Sequence, residues 1–199
     1  MNQPLPFKIY EGGEQLPLPR DIPGSSMSSL QAIAATGDPV PGNVTPGLPT
    51  LTTLLHYSAG ITRKRDYGGG EIHFRAAACT GALYHIDLYL VCGDLDDLPA
   101  GVYHYGPHDS ALTRLRSGDY RSLLVEASAQ EESMAGAPAI VVFTCTYWRN
   151  SWKYQSRAYR HTYWDGGTIL ANFQSLAAAH QLPARLVMSF TDALSLIHI

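Results

Sequence analysis

Nine of the chain's 13 prolines fall within its first 50 residues. A proline fixes φ and removes the backbone N–H, so a stretch such as "DPVPGNVTPGLP" excludes long helices and the interior of a sheet. Residues 1–50 are therefore expected to form an extended, loop-rich arm, with the folded domain beginning at about Leu51. The length of 199 residues suits one domain, and a 45% hydrophobic content can supply its core.

The formal net charge is −3, which gives no overall attraction to nucleic acid or to an anionic membrane. No apolar run approaches the roughly 20 residues that span a bilayer, and "MNQPLPFKIY" lacks the basic start and apolar centre of a signal peptide. Cys79, Cys92 and Cys145 are odd in number and form no C-x-x-C, a pattern of reduced thiols rather than a disulfide scaffold. The expectation is a cytoplasmic protein with no membrane and no nucleic-acid partner.

Beyond the arm, Leu51, Leu54, Leu55 and Ala59 recur at helical spacing and Gly60 suits a helix stop. A Gly-rich lead (68–83) runs into an apolar strand at 83–93. "GVYHYGPHDSALTRL" (101–115) predicts a hairpin around a Gly-Pro turn, and 119–129 a helix. "PAIVVFTCTYW" (138–148) predicts a buried strand from its β-branched run. A helix over 148–167 and a second from Thr168 to Leu182 follow, with "ARLVMSF" (184–190) as a last strand. Strands and helices mix without strict alternation, so the fold class is α+β.

The stretch "WRNSWKYQSRAYRHTYWDGG" (148–167) holds all three tryptophans and no acidic residue before Asp165. On one continuous helix, Arg149, Lys153, Arg157 and Arg160 form a cationic stripe, and Trp148, Trp152, Tyr159 and Tyr163 an aromatic stripe about 100° away. Such a helix could bury its rings in a core and pair its arginines elsewhere, stack on a nucleic acid, or border a planar anionic ligand. A nucleic-acid surface also calls for a basic surplus over the domain, which is absent.

"KYQSRAYRH" (153–161) followed by "WDGGTILANF" resembles a segment of the SagB-type thiazoline/oxazoline dehydrogenases, an FMN-dependent branch of the nitroreductase family. "RAAACTGALYHIDLYLV" (75–91) resembles a second segment of that branch, and "LLHYSAGI" and "GVYHYGPHDSALTRL" are similar to others, in the same order over about residues 50–193. The resemblance implies a nitroreductase-like FMN-binding fold: a central, mostly antiparallel sheet flanked by helices, over 51–193. It implies Lys153 and Tyr154 as the catalytic pair, with Arg157 one turn from the phenol. For FMN it implies Arg75, the Cys79-Thr80-Gly81 backbone, Met188 and Ser189; Arg63 and Arg65 are candidates for the phosphate. The family's Pro-Ser is Ala78-Cys79 here and its later Gly is Ser189. After "SFTDA" the resemblance stops; the domain is expected to be short at its C-terminal end and 194–199 ("LSLIHI") to be a tail foreign to it.

The implied activity is FMN-dependent dehydrogenation of azoline heterocycles in a modified peptide or a related small substrate, by a homodimer. The alternative is a non-catalytic flavin-fold module that binds a modified peptide. Eight histidines include His104 and His108 beside a turn, without the spacing of a zinc site, so no metal is expected. There is no G-x-S-x-G, no phosphate loop and no dinucleotide fingerprint.

Overall fold

The computed structural model describes residues 3–22, 24–37 and 44–191. At its centre lies a five-stranded antiparallel sheet, ordered β1-β6-β5-β4-β7. Strand β1 is Glu14–Pro17, β4 is Ile86–Cys92, β5 is Gly101–Gly106, β6 is Ala111–Ser117 and β7 is Ala139–Cys145. Every residue of β4 is buried, because the strand is flanked on both edges and covered on both faces. The predicted hairpin is β5–β6, with Gly106 opposite Ala111.

The proline-rich segment contributes more than a lead-in. Its strand β1 pairs with β6 and ends at Pro17, an edge position that tolerates the missing N–H. Helix α1 (Ser29–Ala34) opens with a Ser28–Gln31 capping box and packs beside α6 (Ala158–Ala179).

Alternation along β4 sends Leu88, Leu90 and Cys92 to one face. There they meet Leu51, Leu54 and Leu55 of α2 (Leu48–Ala59) and Ile169 and Ala177 of α6. Val91 faces the other way, toward Leu124 of α3 (Arg121–Ala127) and Met134 of α4 (Glu132–Ala135). The arm also covers part of this second face, where Tyr10 meets Tyr89 and His104.

Four local expectations are corrected. The charged "ITRKRD" and the glycines after it form a separate hairpin, β2 (Ile61–Asp66) with β3 (Glu71–Arg75). Its turn uses Gly68 at φ +50, a conformation glycine adopts without steric cost. The strand β7 is not fully buried but an edge, half-buried along its length.

The aromatic, basic stretch is two helices, α5 (Trp148–Tyr154) and α6, joined by a 3-10 turn at Gln155–Arg157. Gln155 at φ 49, ψ −129 ends α5. From Ala158 the helix then runs unbroken through Gly166 and Gly167, where sequence placed a boundary. Two interior glycines cost about 1 kcal/mol each, which the packing of a 22-residue helix offsets. The kink breaks both stripes: Arg149 is buried while Lys153, Arg157 and Arg160 are exposed. Nor is the aromatic face buried, since Trp148, Tyr159, Tyr163 and Trp164 are each about half exposed or more.

Residues 184–190 do not form a strand. A strand exists through the ladder it joins, and this segment joins none among the described residues. It is held instead by Leu182 in the core, by an Arg185–Glu131 ion pair at 3.5 Å, and by the Thr191 N–H donating to Ala127 O at 2.7 Å. Residues 194–199 lie outside the described residues. Among the described residues no helix is long and apolar enough to cross a membrane.

Candidate functional site

Where β4 begins and β7 ends, the chain gathers its most polar buried cluster. The Thr146 N–H donates to His85 O at 2.8 Å, fixing the loop before β4 against the loop after β7. Arg149, in the first turn of α5, reaches inward to Asp87 Oδ1 at 3.0 Å and to Tyr84 O at 2.9 Å. Thr146 Oγ1 donates to the other Asp87 oxygen at 2.6 Å. The buried carboxylate is therefore saturated, as a charge removed from water requires.

Asp165, in the middle of α6, anchors the Cys79–Gly81 segment. Its carboxylate accepts from Thr80 N at 3.0 Å, Thr80 Oγ1 at 2.9 Å and Cys79 Sγ at 3.1 Å. One helical turn on, Thr168 Oγ1 donates to Ala78 O at 2.8 Å. Burial, with help from the Asp165 hydrogen bond, pushes the Cys79 thiol up to about 12, so it stays protonated. The Cys79 side chain thus points inward, which leaves its backbone and that of Thr80 and Gly81 for a ligand on the outer side.

Gly81 has φ +63, and a Cβ there would lie 2.5 Å from the Tyr154 Oη. The Tyr154 ring therefore lies directly against the Gly81 backbone. His161 meets the same ring edge-on at 4.8 Å, and Lys153 Nζ stands 5.4 Å from its centroid. The fold thus brings together Cys79, Thr80, Gly81, Lys153 and Tyr154 from two stretches about 70 residues apart in sequence.

Arg75, at the end of β3, is buried between the rings of Phe7 and Tyr84, at 5.6 and 4.9 Å. Burial lowers its guanidinium to about 10, opposed by the charge of Asp87, so it remains a cation at neutral pH. Among the described residues its Nε and Nη2 have no hydrogen-bond partner. Beside it is a cavity of about 10 Å³, lined by Ser58, Arg75, Cys79, Tyr84 and Asp165, enough for about one water.

The other expected residues lie apart from this cluster. Arg63 and Arg65 alternate onto one exposed face of β2, over Phe74 at 6.0 Å and Tyr67 at 5.2 Å. Arg157 is exposed on the 3-10 turn, so the kink removes the one-turn helical relation to Tyr154. Met188 and Ser189 are exposed between two anchors on α3 and the α4 cap. Sequence reasoning missed Asp165, His85, Asp87 and Asn150; the acidic residue that interrupts the aromatic stretch, Asp165, was the one available signal.

The residues present fit a flavin in part. The Gly81–Tyr154 contact offers a flat surface where a backbone can approach a ring closely, and Arg75 carries unpaired donors. The cavity beside Cys79 is too small for an isoalloxazine ring.

No family model matches the sequence. A Methanocaldococcus jannaschii protein, provisionally assigned as a nitroreductase, is 24% identical over 145 residues, 73% of this chain and 70% of that protein. The crystal structure of a provisionally assigned nitroreductase from Anabaena variabilis matches with a TM-score of 0.69 and 26% identity, over 88% of this chain. The chain spans 33% of that protein's length. The Escherichia coli microcin synthetase McbBCD complex, with truncated pro-MccB17 bound, matches with a TM-score of 0.61 and 22% identity, over 92% of this chain and 70% of that one. Helices around a central antiparallel sheet, in this arrangement, make the fold of the chain nitroreductase-like.

Proposed function

We propose that this chain is a flavin-dependent oxidoreductase of the nitroreductase family, and within it a SagB-type dehydrogenase of azoline rings in a modified peptide. The observation that carries the reading is the contact of Tyr154 with Gly81, because it joins the two segments whose sequences carry the resemblance. The similarity to nitroreductases supports the reaction class. The likeness to a synthetase complex with a peptide bound supports a peptide substrate.

FMN, when bound, supplies the two-electron acceptor that the side chains lack. Aromatising an azoline also releases a proton, whose uptake we assign to Lys153 Nζ and Tyr154 Oη. Gly81 keeps the floor flat, while Asp165 fixes that floor through Thr80. A second copy of the chain would wall the open side, where Tyr159 and Trp164 are exposed; sedimentation of the purified protein tests for the dimer.

The visible spectrum tests the cofactor. A yellow flavin band, native or after reconstitution with FMN, is expected; a colourless protein that FMN does not reconstitute overturns the reading. Lys153→Ala and Tyr154→Phe are expected to keep the colour and lose azoline oxidation, and unchanged rates would remove both from the mechanism. A second reading, a non-catalytic flavin-fold module binding a modified peptide, draws on the exposed position of Met188 and Ser189 and on the Cys79 thiol held by Asp165. It predicts colour and peptide binding without turnover.

A further inference from the structure

Among the described residues, Cys79, His85 and Asp165 are the one group of cysteine, histidine and carboxylate side chains able to share an ion, with donor atoms all within 4.8 Å of one another. They come from the loop after β3, the residue before β4 and the middle of α6. His85 is fully buried and Asp165 nearly so, which separates them from the solvated acidic groups common on surfaces.

The triangle of donor atoms has the size of a metal site. Cys79 Sγ lies 3.1 Å from Asp165 Oδ2 and 3.9 Å from His85 Nδ1, and His85 Nδ1 lies 3.6 Å from Asp165 Oδ2. Bonds of about 2.0–2.3 Å in tetrahedral geometry set ligand atoms about 3.3–3.6 Å apart. The three observed edges straddle that range.

The hydrogen bonds around His85 make its Nδ1 an acceptor. His161 Nδ1 donating to Asn150 Oδ1 at 2.9 Å turns the Asn150 amide nitrogen toward His85 Nδ1, at 3.3 Å. His85 Nδ1 then accepts from the Asn150 amide, a hydrogen bond that an ion at Nδ1 would replace. Cys79 and Asp165 also line the cavity of about 10 Å³, the size of a single water.

We propose that Cys79, His85 and Asp165 bind one divalent ion of the zinc class, with a water from the adjoining cavity as fourth ligand. Sulfur, imidazole and carboxylate together suit zinc, and a hard ion such as magnesium would take oxygen donors throughout. Binding displaces the thiol proton of Cys79 to solvent and changes no oxidation state. Asp165 keeps its Thr80 contacts through Oδ1, so the loop leading to Gly81 becomes pinned by a bond instead of by a thiol hydrogen bond. The site does not depend on a flavin.

The test uses the purified protein, stripped with chelator and titrated with Zn²⁺ or Co²⁺. One equivalent of zinc is expected by elemental analysis, and cobalt is expected to give a thiolate charge-transfer band with the visible bands of tetrahedral coordination. The Cys92→Ser/Cys145→Ser variant is expected to keep the band. Cys79→Ser and Asp165→Asn, close to isosteric, are expected to weaken zinc by more than the about 10–100-fold that loss of an outer-sphere partner costs. No thiolate band in the parent protein overturns the proposal, whatever the variants do. So does zinc retained at full affinity by Cys79→Ser, or a band that needs Cys145.

Discussion

The Arg149 guanidinium and the Asp87 carboxylate meet at 3.0 Å with each side chain only 4% exposed, and this pair fastens the start of α5 to the central strand. Removing one partner of a buried pair costs about 3–5 kcal/mol, because the other charge is left without compensation. Asp87→Asn is therefore expected to lower the urea midpoint sharply. Asp87→Leu combined with Arg149→Met is expected to be milder than either single change, and a double cycle of denaturation curves measures the difference.

Gly81→Ala should damage the site more than the fold. The side chain would need φ +63, a conformation costing of order 1–3 kcal/mol, and its Cβ would press on the Tyr154 ring. The ring can swing aside, so the loss appears in ligand binding and turnover. Combining Gly81→Ala with Tyr154→Ala is expected to give less than the sum of the two stability losses; strict additivity would mean the residues do not touch.

Stability is expected to fall on mild acidification. Burial lowers His104 to about 4, from an ordinary value near 6.5. Between those values the unfolded chain binds a proton that the folded chain refuses, so stability is complete above about pH 6.5 and drains away as pH falls toward 4. The full span is worth about 3 kcal/mol at most. His104→Gln is expected to flatten part of the slope in unfolding curves between pH 7 and 4.5. His85 and His56, lowered in the same direction by burial, keep the remainder.

The paired glycines of α6 invite the opposite change. A Cβ at Gly166 or Gly167 would meet nothing within 4 Å, so alanine at either position is expected to stabilise by about 1 kcal/mol. Calorimetry checks this. Added stability together with weakened flavin binding would identify the pair as clearance for a ligand.

What the sequence made legible was whatever its own neighbours encode. The apolar run of β4, the turn of the β5–β6 hairpin and the helical spacing of α2 were readable because burial imposes a period on them. The β2–β3 hairpin was not, since a strand as exposed as "ITRKRD" has no apolar alternation to display. The break at Gln155 has no glycine or proline to announce it. Lys153, Tyr154 and Gly81 were singled out through resemblance, and two of them lie in contact. Cys79 and His85 lie six residues apart, but Asp165 comes from a distant stretch, and only packing completes the cluster.

The two margins of the sheet are unequal. On β1 the margin is four residues long and finishes in proline, which discourages any newcomer from docking there. Along Ala139–Cys145 it is seven residues, apolar and proline-free. Enlargement of this sheet is consequently one-sided: a sixth strand, from this polypeptide or from another molecule, has its invitation on the side from which α5 departs.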